Sequence, residues 1–162
     1  MDINYRVHVT PDRAFVKVLE KASYLNCEPI RNFFEEQNKR GCNRFVIDFQ
    51  HCSSMDSTFL GILVGVALKV RNSADGGSFT LLNLRGRNLE TVCNLGIHQI
   101  ADISSDQVNN IEELENLSSK SSTPNANTDT IYAAHKALMN LNEKNLRAFS
   151  DVVSYLEQKN ED

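Results

Sequence analysis

The strongest constraint on this chain is a short β-branched and aromatic run, Arg44 to Phe49 (R-F-V-I-D-F), that leads into its most apolar helical pattern, Ser57 to Arg71. The first composition reads as a central strand. The second carries Leu60, Leu63, Val64, Ala67, Leu68 and Arg71 at three- and four-residue spacing, the period of an α-helix. A buried strand that gives way to an apolar helix is the beginning of a crossover unit, and the other periodic segments extend that pattern.

Tyr5 to Val9 and Ala14 to Leu19 alternate polar and apolar residues around Pro11-Asp12, which predicts a hairpin. Asn26 reads as a helix cap, with Pro29 in the first turn, Ile30, Phe33 and Phe34 on one face, and Gly41 as the stop. Asn72 to Gly77, with Asp75-Gly76-Gly77, reads as a loop, and Phe79 to Leu84 as a strand. Asn88 to Asn94 reads as a short helix ended by Leu95-Gly96, and Ile97 to Ile103 as a last edge strand. Gln107 to Leu117, with Val108, Ile111, Leu114 and Leu117, reads as a helix along the sheet. The predicted order over residues 3–117 is β-β-α-β-α-β-α-β-α, an α/β domain whose sheet is mixed but mostly parallel. Gly61 and Gly65, four apart, predict close helix-on-sheet contact.

A small polar linker over residues 118–127 separates this domain from a C-terminal helical extension, 128–162. There Ile131, Leu138, Leu141, Phe149, Val152 and Leu156 follow helical spacing, interrupted by Asn142 and Asn145, as in an amphipathic helix or a helical hairpin. Such a segment folds back on its own domain, docks on a partner or self-associates.

The totals exclude several functions. With 162 residues, 41% hydrophobic and 23% charged, the chain has room for one well-buried domain and an appendage. A formal charge of -4 argues against a nucleic-acid surface, and Arg85-Gly86-Arg87 is too short to reverse that. No apolar stretch approaches the roughly 18 residues of a membrane span, and Met1 to Arg6 does not resemble a signal peptide. A cytoplasmic location without membrane insertion is expected, with Cys27, Cys42, Cys52 and Cys93 as reduced thiols. His8, His51, His98 and His135 lack metal-ligand spacing, so neither metal nor cofactor is expected. Asp48 has no visible base or nucleophile beside it, and the phosphate-binding and nucleophile-elbow motifs are absent, which predicts a chain that is not an enzyme.

Between the central strand and its helix, Met55 to Leu63 reads M-D-S-T-F-L-G-I-L. Asp56, Ser57, Thr58, Leu60, Gly61, Ile62 and Leu63 resemble the D-S-[S/T]-G-[L/I]-G signature and following apolar helix of the STAS domain, the fold of bacterial anti-sigma factor antagonists. The predicted element order is also that of the family. Phe59 departs from it, standing where the family usually has glycine. The resemblance implies a partner-switching protein that binds an anti-sigma factor, an ATPase-type serine kinase, when unphosphorylated. That kinase would release it by phosphorylating Ser57, and a separate phosphatase would reverse the change. The family's docking surface maps onto Ser53, Ser54, Met55, Asp56, Thr58, Phe59 and Leu60. Asn26 takes the place where many members carry a docking aspartate. The alternative is a non-switching accessory subunit, such as the STAS-type components of lipid-transport ABC systems.

The residues themselves permit two roles for Ser57. It caps the helix, with Asp56 preceding it, or it accepts a phosphate, which the unpaired N–H groups and partial positive charge of a helix start tolerate. Thr58 is the competing acceptor, and the family precedent favours Ser57. Phe59 either projects toward a partner or packs inward.

Overall fold

The computed structural model describes residues 4–73, 76–105, 114–117 and 124–161. Strands β1 (Tyr5–Val9) and β2 (Ala14–Ala22) form the expected hairpin, with Tyr5 opposite Val18 and Val9 opposite Ala14. The Thr10 side chain closes the turn by accepting from the N–H groups of Asp12 and Arg13. Then follow α1 (Glu28–Lys39), β3 (Arg44–Met55), α2 (Ser57–Arg71), β4 (Ser78–Leu82), α3 (Gly86–Asn94), β5 (Asp102–Ser104), β6 (Glu115–Asn116), α4 (Thr128–Met139) and α5 (Glu143–Glu161). The sheet runs β5-β4-β3-β2-β1-β6. Strands β2 to β5 are parallel neighbours, while β1 runs antiparallel to both β2 and β6. This is the expected mixed, mostly parallel α/β sheet, with β3 at its centre.

Phe45, Ile47 and Phe49 alternate along β3 onto one buried face. Phe34 of α1 meets Phe45 edge-on at 5.6 Å, and Phe59 of α2 meets Phe49 edge-on at 6.4 Å, so both helices cover that face. The pairing of β2 with β3 breaks register after Glu20, with the extra residue on β3, and the φ of 60° at Glu20 places it in the left-handed region. Strands β2 and β3 both extend past the alternating runs that announce them, to Ala22 and Met55 instead of Leu19 and Phe49.

Three expectations change. Ile97 to Ile103 is not one strand: Ile97–Gln99 forms a 3-10 turn after left-handed Gly96 (φ 82°), Ile97 is buried, and only Asp102–Ser104 joins the sheet. The end of the helix expected over 107–117 is strand instead, with Glu115 opposite Val7 and Asn116 opposite Arg6. Leu114 and Leu117 are three apart, so their spacing fits a helix, but pairing with the open edge of β1 satisfies backbone groups that a helix would leave bare. Val108 and Ile111 lie outside the described residues, as do Asp75 and residues 118–123 of the linker. Asn26 does not cap α1: Cys27 occupies the cap position without a side-chain bond.

The C-terminal extension is a helical hairpin that breaks at Asn140–Asn142, and the side chain of Asn142 accepts from the Asn145 N–H to start α5. It folds back on the domain. Helix α4 lies on α2, with Ala134 and Leu138 in the common core. Thr130 donates to the Glu28 carboxylate at 3.2 Å, and Asn142 and Asn145 both donate to the Leu95 carbonyl. Gly61 makes the close approach expected of it, but to the backbone of Ala134 and not to the sheet, while Gly65 faces open space.

Candidate functional site

The parallel strands β2 and β3 end side by side at Ala22 and Met55, and the Asp56 N–H donates to the Ala22 carbonyl at 3.1 Å. Extended backbone at Asp56 (φ -105°, ψ 176°) turns the chain from β3 into α2, so Asp56 is the helix cap. One carboxylate oxygen accepts from the Phe59 N–H at 2.9 Å and the other from the Tyr24 N–H at 2.8 Å. The carboxylate therefore fixes both the start of α2 and the loop after β2. Ser57 is consequently the first helical residue and not the cap, and its hydroxyl is free for another partner.

That partner is His135 of α4, whose Nε2 lies 2.8 Å from Ser57 Oγ. The imidazole Nδ1 lies 2.7 Å from the Ile131 carbonyl, which can only accept, so Nδ1 carries the proton in the neutral ring. Nε2 is then an acceptor, and Ser57 donates to it. His135 is 7% exposed, and the Phe149 ring of α5 backs it edge-on at 5.9 Å. No sequence spacing links the two residues, which stand 78 positions apart.

Thr58, Phe59 and Leu60 are buried. Phe59 is 0% exposed, stacks on Tyr5 at 6.2 Å and 17°, and belongs to the core; it does not project toward a partner. The α-helical period accommodates this, because Phe59 and Leu63, four apart and both fully buried, share one side of α2. Of the residues expected on the docking face, Ser53 and Ser54 are exposed, and Asn26, Met55 and Asp56 half-buried. Asn26 is bound within the protein: it accepts from the Tyr5 hydroxyl at 2.8 Å and the Ser23 N–H at 3.0 Å, and donates to the Lys21 carbonyl at 2.7 Å. Tyr24 and Leu25, 47% and 51% exposed, add an apolar rim beside Asp56 that alternation patterns could not flag.

Burial pushes the Cys52 thiol up to about 11. It pushes Cys27 up to about 12, with the nearby Asp56 and Glu28 carboxylates adding to the effect. Burial likewise raises the Tyr5 hydroxyl. All three stay protonated near neutrality and supply no nucleophile. Among the described residues no cluster of three or more His, Cys, Asp or Glu could hold a metal ion, and no helix is long and apolar enough to cross a membrane.

No protein-family model matches the chain, and no curated protein does either. Among solved structures, the anti-sigma factor antagonist SpoIIAA in its unphosphorylated form is similar, with a TM-score of 0.52 and 19% identity, covering 64% of this chain and 89% of that one. The Bacillus cell fate determinant SpoIIAA in the phosphorylated form is similar as well, with a TM-score of 0.54 and 17% identity, covering 64% of this chain and 92% of that one. At these identities the likeness establishes the fold, a STAS-like α/β sheet flanked by helices.

Proposed function

We propose that this chain is a phosphorylation-switched binding module of the anti-sigma factor antagonist type. Unphosphorylated, it binds an anti-sigma factor that is also an ATPase-type serine kinase; phosphorylation of Ser57 releases it, and a phosphatase resets it. The observation that carries this reading is the position of Ser57: first residue of α2, beside the cap but not part of it, half-buried at the end of the central strand. The helix start tolerates a phosphate there. A phosphate adds roughly -1.5 to -2 charges next to Asp56, so a docked partner meets both bulk and repulsion. Thr58 is the poorer acceptor, since its side chain is buried. The docking face comprises Tyr24, Leu25, Asn26, Ser53, Ser54, Met55 and Asp56, supported from beneath by Phe59 and Leu60. Likeness in fold to SpoIIAA, solved in unphosphorylated and phosphorylated forms, supports the same reading.

One observation favours a second reading, a constitutive accessory subunit such as that of a lipid-transport ABC system: the Ser57 hydroxyl is already engaged by the protein's own C-terminal hairpin. Incubation of the full chain with ATP and the ATPase-type serine kinases of the same genome separates the two. Peptide mapping should place one phosphate on Ser57, and Ser57→Asp should weaken kinase binding at least tenfold. An unmodified chain, or a Ser57→Asp protein that binds as tightly as wild type, leaves the accessory subunit.

A further inference from the structure

The Ser57–His135 pair has the geometry of an activated nucleophile. A hydroxyl within hydrogen-bond reach of an imidazole nitrogen, with the other nitrogen anchored by a third group, is the arrangement by which proteins raise the reactivity of serine. Here the third group is the Ile131 carbonyl, which sets the tautomer so that Nε2 presents its lone pair to Ser57 Oγ. The ring cannot easily turn away. It is nearly sealed from solvent, Phe149 lies against it, and the close contact between Gly61 and Ala134 fixes α4 over the first turns of α2.

We propose that His135 is the proton acceptor and positioning residue for phosphoryl transfer to Ser57, which makes the C-terminal hairpin part of the modification site. In this step the Ser57 Oγ–H bond breaks and its proton passes to His135 Nε2. The Oγ–P bond forms, and the bond from that phosphorus to its leaving group breaks. In the cell the donor is a nucleoside triphosphate held by the partner kinase, and a nucleoside diphosphate leaves. The resulting imidazolium still donates through Nδ1 to Ile131, and through Nε2 it faces the new phosphate as a counter-ion. The proposal rests on the reading of Ser57 as a phosphoacceptor, but the chemistry of the pair can be tested without any kinase.

The probe is diisopropyl fluorophosphate, which forms an Oγ–P bond and expels fluoride. With the full chain, intact mass and peptide mapping should find Ser57 modified ahead of exposed Ser53 and Ser54. His135→Gln, which keeps a side chain able to accept from the hydroxyl but not to take its proton, should slow that modification about 100-fold or more. In the unmodified wild-type protein, the nitrogen-15 shifts of His135 should report a protonated Nδ1 and an accepting Nε2, and Ser57→Ala should move the Nε2 signal. Ser57 reacting no faster than Ser53, a His135→Gln protein reacting as fast as or faster than wild type, or the opposite tautomer would each overturn the proposal. The two readings fail separately. If the probe marks Ser57 through His135 while no kinase does, the switch falls and the pair stands; if kinases phosphorylate wild type and His135→Gln equally, the pair falls and the switch stands.

Discussion

Gly61 lies directly beneath the main chain of Ala134: a methyl group built on Gly61 would meet the Ala134 carbonyl oxygen at 2.1 Å. The two helices approach this closely only because Gly61 has no side chain, and the contact holds α4 where His135 reaches Ser57. Gly61→Ala should push α4 away and destabilise the protein by about 1–3 kcal/mol, as overpacking does. Gly65→Ala is its control, since nothing lies within 4 Å of the added methyl. It should stabilise the helix by roughly 0.5–1 kcal/mol. Thermal unfolding of both variants checks the contrast, and hydrogen exchange across residues 128–161 should rise in the first alone.

Phe59 fills the space between Tyr5 and Phe49. Phe59→Ala should therefore cost about 3–5 kcal/mol, the scale of truncating a buried aromatic. The loss should be global. A urea titration would show it as a lower midpoint, whereas a partner anchor would leave the midpoint unchanged and weaken binding alone.

Asp56 satisfies two backbone N–H groups, one in the first turn of α2 and one in the loop after β2, so its removal unties both. Asp56→Ala should cost about 0.5–2 kcal/mol for the cap, with a further loss from the freed Tyr24 N–H. Asp56→Asn keeps a single accepting oxygen and should fall between Ala and wild type. Urea midpoints at constant slope measure the series.

Most of the sheet domain is legible in local periodicity. The alternation of β1 and β2, the β-branched run of β3 and the glycine that ends α3 each specify their element with information from a few neighbouring residues. The short strands are not legible: β5 and β6 are defined by edges they complete, and the three-residue spacing of Leu114 and Leu117 fits a helix and not the strand that forms there. The site is half legible. Met55 to Leu63 marks where α2 begins, yet which side chain caps it depends on the Tyr24 loop, and His135 is a lone histidine on a distant amphipathic helix. One signal did exist. Helix α2 is apolar over more of its circumference than a sheet can cover, since Leu60, Val64 and Ala67 are buried along with Phe59 and Leu63. That surplus requires a second layer, which α4 provides.

The thiols give the protein a predictable alkaline limit. Cys27, 0% exposed, is raised from 9.0 to about 12, and Cys52 from 9.0 to about 11. In the unfolded chain these thiols lose their protons near pH 9; in the folded protein they keep them to higher pH. Between those limits the unfolded state binds fewer protons, so stability is unaffected below about pH 9 and falls as pH rises above it. Each such group contributes a slope of at most about 1.4 kcal/mol per pH unit. Urea midpoints should be level from pH 7 to 8.5 and decline by pH 10.5, and Cys27→Ala should flatten that decline. Accessibility gives a parallel check, because Cys93 is exposed and Cys27 is not. Iodoacetamide at pH 8 should label Cys93 first and Cys27 last; equal rates would mean that the loop between β2 and α1, tied down by Asp56 and Asn26, opens readily in the native protein.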